Sequence, residues 1–212
     1  MIDIASLLSF ILHLDQHIQW VFDSYGIWIY AILFFIIFAE TGFVVTPFLP
    51  GDSLLFAVGA FAATGSLNVF FLFMLLSVAA IGGNTVNYAV GYKLAPAITK
   101  GKKVRFIKKE YIERTRKFYE KYGGKTIILT RFIPILRTFA PFMAGVGSMS
   151  FWKFQMYNII GGIAWIGIFL YSGYFFGNIP FVKQNFTIVI LVIIIVSLIP
   201  AAVEYVRHRR QN

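Results

Sequence analysis

Cysteine is absent from the 212 residues, which excludes disulfides, thiolate metal sites and cysteine nucleophiles. Charge is scarce as well. Only 13% of residues are Asp, Glu, Lys or Arg, against about a quarter in soluble domains, while 58% are hydrophobic and the mean hydropathy is +0.76. A chain with so little polar surface reads as an all-α integral membrane protein rather than a soluble domain. Of its three histidines, His13 and His17 are helical neighbours. With no third ligand beside them they read as a wet polar face, and neither a metal nor a cofactor is expected. Basic residues are missing altogether from the first 92 positions. The N-terminal apolar stretch therefore lacks the positive start of a cleavable signal and is expected to stay in the mature protein.

What the first 92 positions lack, the next segment concentrates. Lys93 to Lys125 holds twelve Lys and Arg residues. Lysine and arginine are retained on the cytoplasmic side of membrane proteins, so this loop is expected inside. The tail Arg207-His-Arg-Arg210 follows a long apolar segment and carries the same mark, which puts the C-terminus on the same side. The loop carries no nucleic-acid-binding motif, so contact with anionic headgroups explains its charge better than DNA or RNA does.

Residues 1–23 place Ser6, Ser9, His13 and Gln16 on one helical side and Leu7, Leu8, Ile11 and Leu14 on the other, as in a helix lying in the interface. Ile27 to Phe38 is apolar throughout. It then meets Glu40, Gly42, Pro47, Pro50 and Gly51 before the chain resumes as Leu54 to Ala63. A straight spanning helix cannot run through two prolines where lipid offers no replacement hydrogen bonds, so a helical hairpin turning back within the membrane fits. Leu67 to Leu94 reads as one spanning helix of about 42 Å, with Asn84 and Asn87 as polar residues in its interior. The pattern then repeats. Thr126 to Thr130 enters, Pro134 and Pro141 break the helix, Ala144-Gly-Val-Gly147 leaves, and Phe151 to Phe176 spans again.

Placing both basic clusters inside makes the two hairpins open from opposite sides, the inverted-repeat design of secondary transporters. The expected fold is thus two inverted repeats, each a re-entrant hairpin plus a long transmembrane helix, in one domain of residues 1–212. Residues 1–23 form the interfacial helix, 26–95 the first repeat, 96–123 the basic cytoplasmic loop, 124–178 the second repeat and 184–206 the last transmembrane helix. Two topologies stay open for Ile27 to Phe38, a full span or the first hairpin arm, and with them the side of the N-terminus. Self-association is compatible with the sequence and not specified by it.

Four ionisable residues sit within these apolar stretches: Glu40, Asp52, Arg131 and Arg137. Charge at membrane depth is expensive and usually marks function, so they are expected to meet around one polar chamber between the hairpin tips. Two plainer readings stand beside this. The acids and arginines make structural ion pairs, or Asp52, just before a helical run, is an N-cap.

The segments Glu40-Thr-Gly-Phe-Val-Val-Thr-Pro-Phe-Leu-Pro-Gly-Asp52, Gly83-Asn-Thr-Val-Asn-Tyr88, Phe118-Tyr-Glu-Lys-Tyr-Gly-Gly-Lys125, Arg131-Phe-Ile-Pro-Ile-Leu-Arg-Thr138 and Gly173-Tyr-Phe-Phe-Gly177 resemble the DedA family of inner-membrane proteins, and the resemblance covers nearly the whole chain. It implies membership of a superfamily that includes lipid scramblases, location in the bacterial cytoplasmic membrane, and return of undecaprenyl phosphate across it with protons involved. Several members carry Asp where this chain has Asn84, which cannot titrate. A phosphate monoester at midplane needs fixed cationic donors, and Arg131 and Arg137 supply guanidinium forks that bind phosphate bidentately and stay charged. Glu40 and Asp52 are then expected to take and release protons. Membrane lipids, a polyprenyl-phosphate or other anionic lipid and protons are the expected partners. No enzyme is expected, because no histidine or cysteine nucleophile falls near the hairpins. A proton-coupled ion or drug antiporter and a non-transporting membrane organiser are the alternatives.

Overall fold

The computed structural model describes residues 26–43, 51–99, 123–185, 188–189 and 191–193. Within them run α1 (Trp28–Gly42), α2 (Gly51–Ala62), α3 (Val69–Thr99), α4 (Lys125–Thr130), α5 (Pro134–Val146), α6 (Phe151–Phe176) and α7 (Pro180–Gln184), and residues 188–189 and 191–193 are helical as well. All regular secondary structure among the described residues is helical. The expected interfacial helix with His13 and His17, Pro47 and Pro50, the core of the basic loop and most of the last transmembrane helix lie outside the described residues.

Among the described residues, two helices are long and apolar enough to cross a membrane, for which about 20 residues are needed. In α3 the qualifying stretch is Val69–Pro96, 28 residues of mean hydropathy 2.0; in α6 it is Phe151–Phe176, 26 residues of 1.7. Helices α1 and α2, with 15 and 12 residues, are too short.

Local chemistry sets the boundaries, and some differ from expectation. Helix α3 begins at Val69 rather than Leu67, because the Asn68 side-chain oxygen accepts from the Phe71 N–H at 2.9 Å and caps the first turn. It continues past Leu94 to Thr99 with Pro96 in its last turns. Between α4 and α5 the helical backbone is interrupted at Arg131–Ile133. Ile133 is extended (φ −120°, ψ 108°), as a residue before proline prefers, and Pro134 opens α5 at its first turn, where its missing N–H costs nothing. Pro141 was expected to break this segment too, and it does not. Helix α5 runs through it, with Ala140, Phe142, Met143 and Ala144 buried around the defect. It ends at Val146, where the Gly147 N–H returns to the Met143 carbonyl at 2.8 Å.

The described residues gather into two compact units. The first draws on Met1–Ile36, Leu49–Ser77 and Trp165–Asn212, the second on Ile37–Phe48 and Val78–Ala164. In the first, α2 lies directly on the C-terminal half of α6. A Cβ placed on Gly59 would sit 2.0 Å from the Leu170 carbonyl oxygen, and one on Gly173 would sit 2.0 Å from that of Phe56. The Asn178 amide donates to the Ala60 carbonyl at 3.1 Å. Leu55, Val58, Leu72, Ile166 and Leu170 are fully buried here.

In the second unit, α5 lies in the same way on the C-terminal half of α3. A Cβ on Gly145 would sit 2.1 Å from the Tyr88 carbonyl oxygen, and one on Gly91 would meet that of Phe142 at 2.1 Å. Tyr88 stacks on Phe154 with ring centroids 4.4 Å apart, and its hydroxyl donates to the Met149 carbonyl. The end of α1 crosses α3 at Gly83, where an added Cβ would stand 2.1 Å from Thr41 Oγ1 and 2.7 Å from the Phe38 carbonyl oxygen. Small residues are what allow helices of an apolar protein to approach this closely.

Neighbouring glycines of α3 should therefore respond in opposite ways. At Gly82 an added Cβ meets only the Phe38 ring at 3.5 Å. Gly82→Ala is expected to leave the thermal midpoint of the purified protein unchanged or raise it, whereas Gly83→Ala should destabilise by ~1–3 kcal/mol through overpacking. Equal midpoints for the two variants would contradict the α1–α3 crossing.

Candidate functional site

Glu40, Arg131 and Arg137 of the second unit are each held where a helix ends or begins. Glu40 lies in the last turn of α1 and is fully buried. Thr41 beside it returns its hydroxyl to the Ile37 carbonyl at 2.8 Å, which steadies that turn. Arg137 lies in the first turns of α5, its N–H bonded to the Ile133 carbonyl at 2.8 Å. Its Nη2 donates to Glu40 Oε1 at 2.6 Å, an ion pair with side chains 2% and 0% exposed. Removal of two such charges from water is repaid only by close, hydrogen-bonded contact, which this geometry supplies.

Arg131 caps the C-terminus of α4 and is 1% exposed. Its partners are neutral. Nη2 donates to Asn158 Oδ1 and, at 3.2 Å, to the Asn158 carbonyl. The Asn84 amide satisfies both of its neighbours when its nitrogen faces the Thr41 carbonyl at 3.2 Å, and its oxygen then accepts from Arg131 Nη2 at 2.9 Å. Gly161 and Gly162 make room for the side chain on α6, since a Cβ on Gly161 would stand 3.0 Å from Arg131 Cδ. Nε and Nη1 of Arg131 have no hydrogen-bond partner among the described residues. Glu40 is the sole carboxylate among the described residues of this unit.

Asn87 binds three helices of the unit together. From α3 its Nδ2 donates to the Thr41 carbonyl of α1 at 3.3 Å and to the Thr138 carbonyl of α5 at 2.7 Å. Both expected polar residues of α3, Asn84 and Asn87, thus stand with Glu40, Arg131 and Arg137.

Asp52 belongs to the first unit. It sits within the first turn of α2, one residue past Gly51, and accepts from the Trp165 indole N–H at 2.8 Å. A carboxylate there is favoured by the positive end of the helix. Both Asp52 and Gly51 are buried. The described residues contain no group of three or more His, Asp or Glu that could hold a metal ion.

Trp165, Asn158 and its neighbours Thr85 and Gln155 were not anticipated from the sequence. The available signal for the last three was polarity inside a spanning helix: Gln155 and Asn158 share one face of α6, and Thr85 faces them from α3, its hydroxyl 3.0 Å from Gln155 Oε1.

Fold and site together define an all-helical membrane protein that buries charged side chains in its interior. The VTT domain matches residues 49–175. The chain is 50% identical over 206 residues to Protein DedA of Escherichia coli (strain K12), covering 96% of this chain and 94% of that protein. It is 44% identical over 168 residues to an uncharacterized membrane protein of Mycobacterium leprae (strain TN), covering 79% and 75%, and 34% identical over 152 residues to the inner membrane protein YqjA of Escherichia coli (strain K12), covering 72% and 69%. The chain belongs to the DedA family of VTT-domain membrane proteins. No solved structure matches it.

The Glu40–Arg137 pair should behave as one unit in a double-mutant cycle. Arg137→Gln alone, which leaves a buried carboxylate without its cation, is expected to cost ~3–5 kcal/mol, and the double variant with Glu40→Gln should recover much of that loss. Additive losses in chemical unfolding of the purified protein would refute the coupling.

Proposed function

We propose that this protein moves a lipid bearing a phosphate monoester across the bacterial cytoplasmic membrane, with undecaprenyl phosphate as the substrate the family resemblance favours. The observation that carries this reading is the imbalance of the buried centre: two guanidinium groups for one carboxylate among the described residues of the unit, in a chain of membrane-protein composition. A headgroup phosphate brings the missing negative charge and the oxygens that guanidinium donors need, while its polyprenyl tail stays in lipid. Glu40 competes with the incoming phosphate for Arg137, so a proton taken by Glu40 as substrate enters is the natural coupling step. Asp52, on Trp165 of the first unit, is the second candidate for proton traffic.

The inverted-repeat reading has support in the packing of each unit. Helices α1–α3 and α4–α6 follow one plan, two short helices and a long one. In the first unit the second short helix of one set lies on the long helix of the other, and in the second unit the roles are exchanged. The receiving glycines, Gly91 and Gly173, are each the twenty-third residue of their long helices. The basic clusters at Lys93 to Lys125 and Arg207 to Arg210 favour a multi-pass topology with a cytoplasmic C-terminus.

We read the protein as a transporter and not as an enzyme, since neither histidine nor cysteine stands beside Arg131 or Arg137 among the described residues. Release of phosphate from undecaprenyl pyrophosphate by the purified protein would contradict this. The tight Glu40–Arg137 pair also suits a non-transporting organiser, and a single experiment separates the two. In proteoliposomes loaded with labelled undecaprenyl phosphate, Arg131→Lys and Arg137→Lys should each reduce transport at least ~10-fold, because an ammonium keeps the charge but loses the planar fork. Glu40→Gln should abolish the pH dependence of transport. Absence of transport by the wild-type protein would favour the organiser, full activity in both lysine variants would remove the guanidinium forks from the mechanism, and an unchanged pH profile would remove Glu40 from it.

A further inference from the structure

The two arginines of the second unit are treated differently by the fold. Arg137 is paired with Glu40 at 2.6 Å, whereas Arg131, equally buried, is met by two amide oxygens and a backbone carbonyl, all on Nη2. The amide of Asn158 is locked in this orientation. Its Nδ2 donates to the Ile81 carbonyl at 3.0 Å and to Thr85 Oγ1 at 3.2 Å, and it lies 3.4 Å from Gln155 Oε1. Thr85 in turn donates to the Ile81 carbonyl at 2.7 Å. Three acceptors on one side leave Oδ1 no direction but toward the guanidinium. An aspartate of the same shape would have neutralised Arg131, and the network around Asn158 is built for the amide instead. Nε and Nη1 remain without hydrogen-bond partners among the described residues, on a group 1% exposed. A buried cation held by neutral oxygens keeps its full charge for a ligand.

We propose that Asn158 is the positioning residue that seats Arg131 without neutralising it, and that Arg131, with Nε and Nη1 as donors, is the group that takes the phosphate oxyanion, while Arg137 stays with Glu40 until substrate arrives. This rests on the lipid-phosphate reading and assigns its first contact. The chemistry recognised is a tetrahedral phosphate, carried either by a lipid headgroup or by free inorganic phosphate.

The test is thermal unfolding of the full-length protein in detergent, titrated separately with inorganic phosphate and with farnesyl phosphate. The wild-type midpoint should rise with farnesyl phosphate. Asn158→Asp should unfold near the wild-type temperature, because pairing the buried cation offsets the lost Nδ2 hydrogen bond to the Ile81 carbonyl, yet its apparent affinity for the probe should fall on the order of tenfold or more. Asn84→Asp, which brings a carboxylate to the same Nη2, should do likewise. A merely structural role for Asn158 would move stability and binding together. Retention of wild-type affinity in both aspartate variants overturns the assignment to Arg131, and so does failure of both to fold, since compensation of the charge should hold the fold. A wild-type response to inorganic phosphate alone would assign the site to the free ion and refute the lipid reading. No response of the wild type to either probe would refute that reading at its root, separately from any effect of Asn158.

Discussion

A guanidinium in a dry protein interior must be given back the hydrogen bonds and the counter-charge that water supplied, and the second unit is arranged around that demand. Arg137 obtains both from Glu40, a residue 97 positions earlier in the chain. To bring them together, α1 must end beside the start of α5, and α1 must cross α3 at glycine-to-glycine distance. The proline that opens α5 and the extended residue before it set the first turn of that helix, and with it the approach of Arg137. Each of these local features follows from the need to pair one buried charge.

Among the described residues, Arg131 receives hydrogen bonds and no counter-charge. The distinction comes from a few side chains of intermediate polarity, Asn84, Asn158, Thr85 and Gln155, which interlock α3 with α6 as Asn87 interlocks α3 with α1 and α5. Amides suit this work because each presents a donor and an acceptor at once, so one residue can satisfy two helices. Within an apolar protein such joints hold geometry more strictly than aliphatic packing, because a misplaced amide leaves polar atoms unsatisfied.

The class of protein and the charges of the site were legible in the sequence because membrane depth makes polarity conspicuous. Glu40, Arg131 and Arg137 stood out against their apolar neighbours, and the structure brings them into one unit. Asp52 stood out equally, and its partner did not: Trp165 looks like any apolar aromatic of α6 until the indole N–H is seen donating to the carboxylate. Asn158 escaped notice because a single amide in a long helix has no periodic signature, and its meaning comes from Ile81 and Thr85, more than 70 residues away. Pro141 misled because a proline signals a lost hydrogen bond, not a lost helix, and burial on both sides of it holds α5 continuous. Helix ends were displaced wherever a side chain supplied a cap that hydropathy does not register, as Asn68 does for α3.

The seating of α2 against the far half of α6 bears on how the chain is made. Asp52 and Trp165 are 113 residues apart, and Gly59 and Gly173 one residue more. Helix α5, by contrast, meets α3 across a shorter stretch of chain, Gly145 packing on Tyr88, 57 residues before it. Translation therefore completes the second unit first and leaves α2 waiting, its carboxylate and its glycine face without their seat, until the last turns of α6 are delivered. The first unit closes last, and a nascent chain stalled short of Gly173 presents the membrane with an acidic helix that has nowhere to dock.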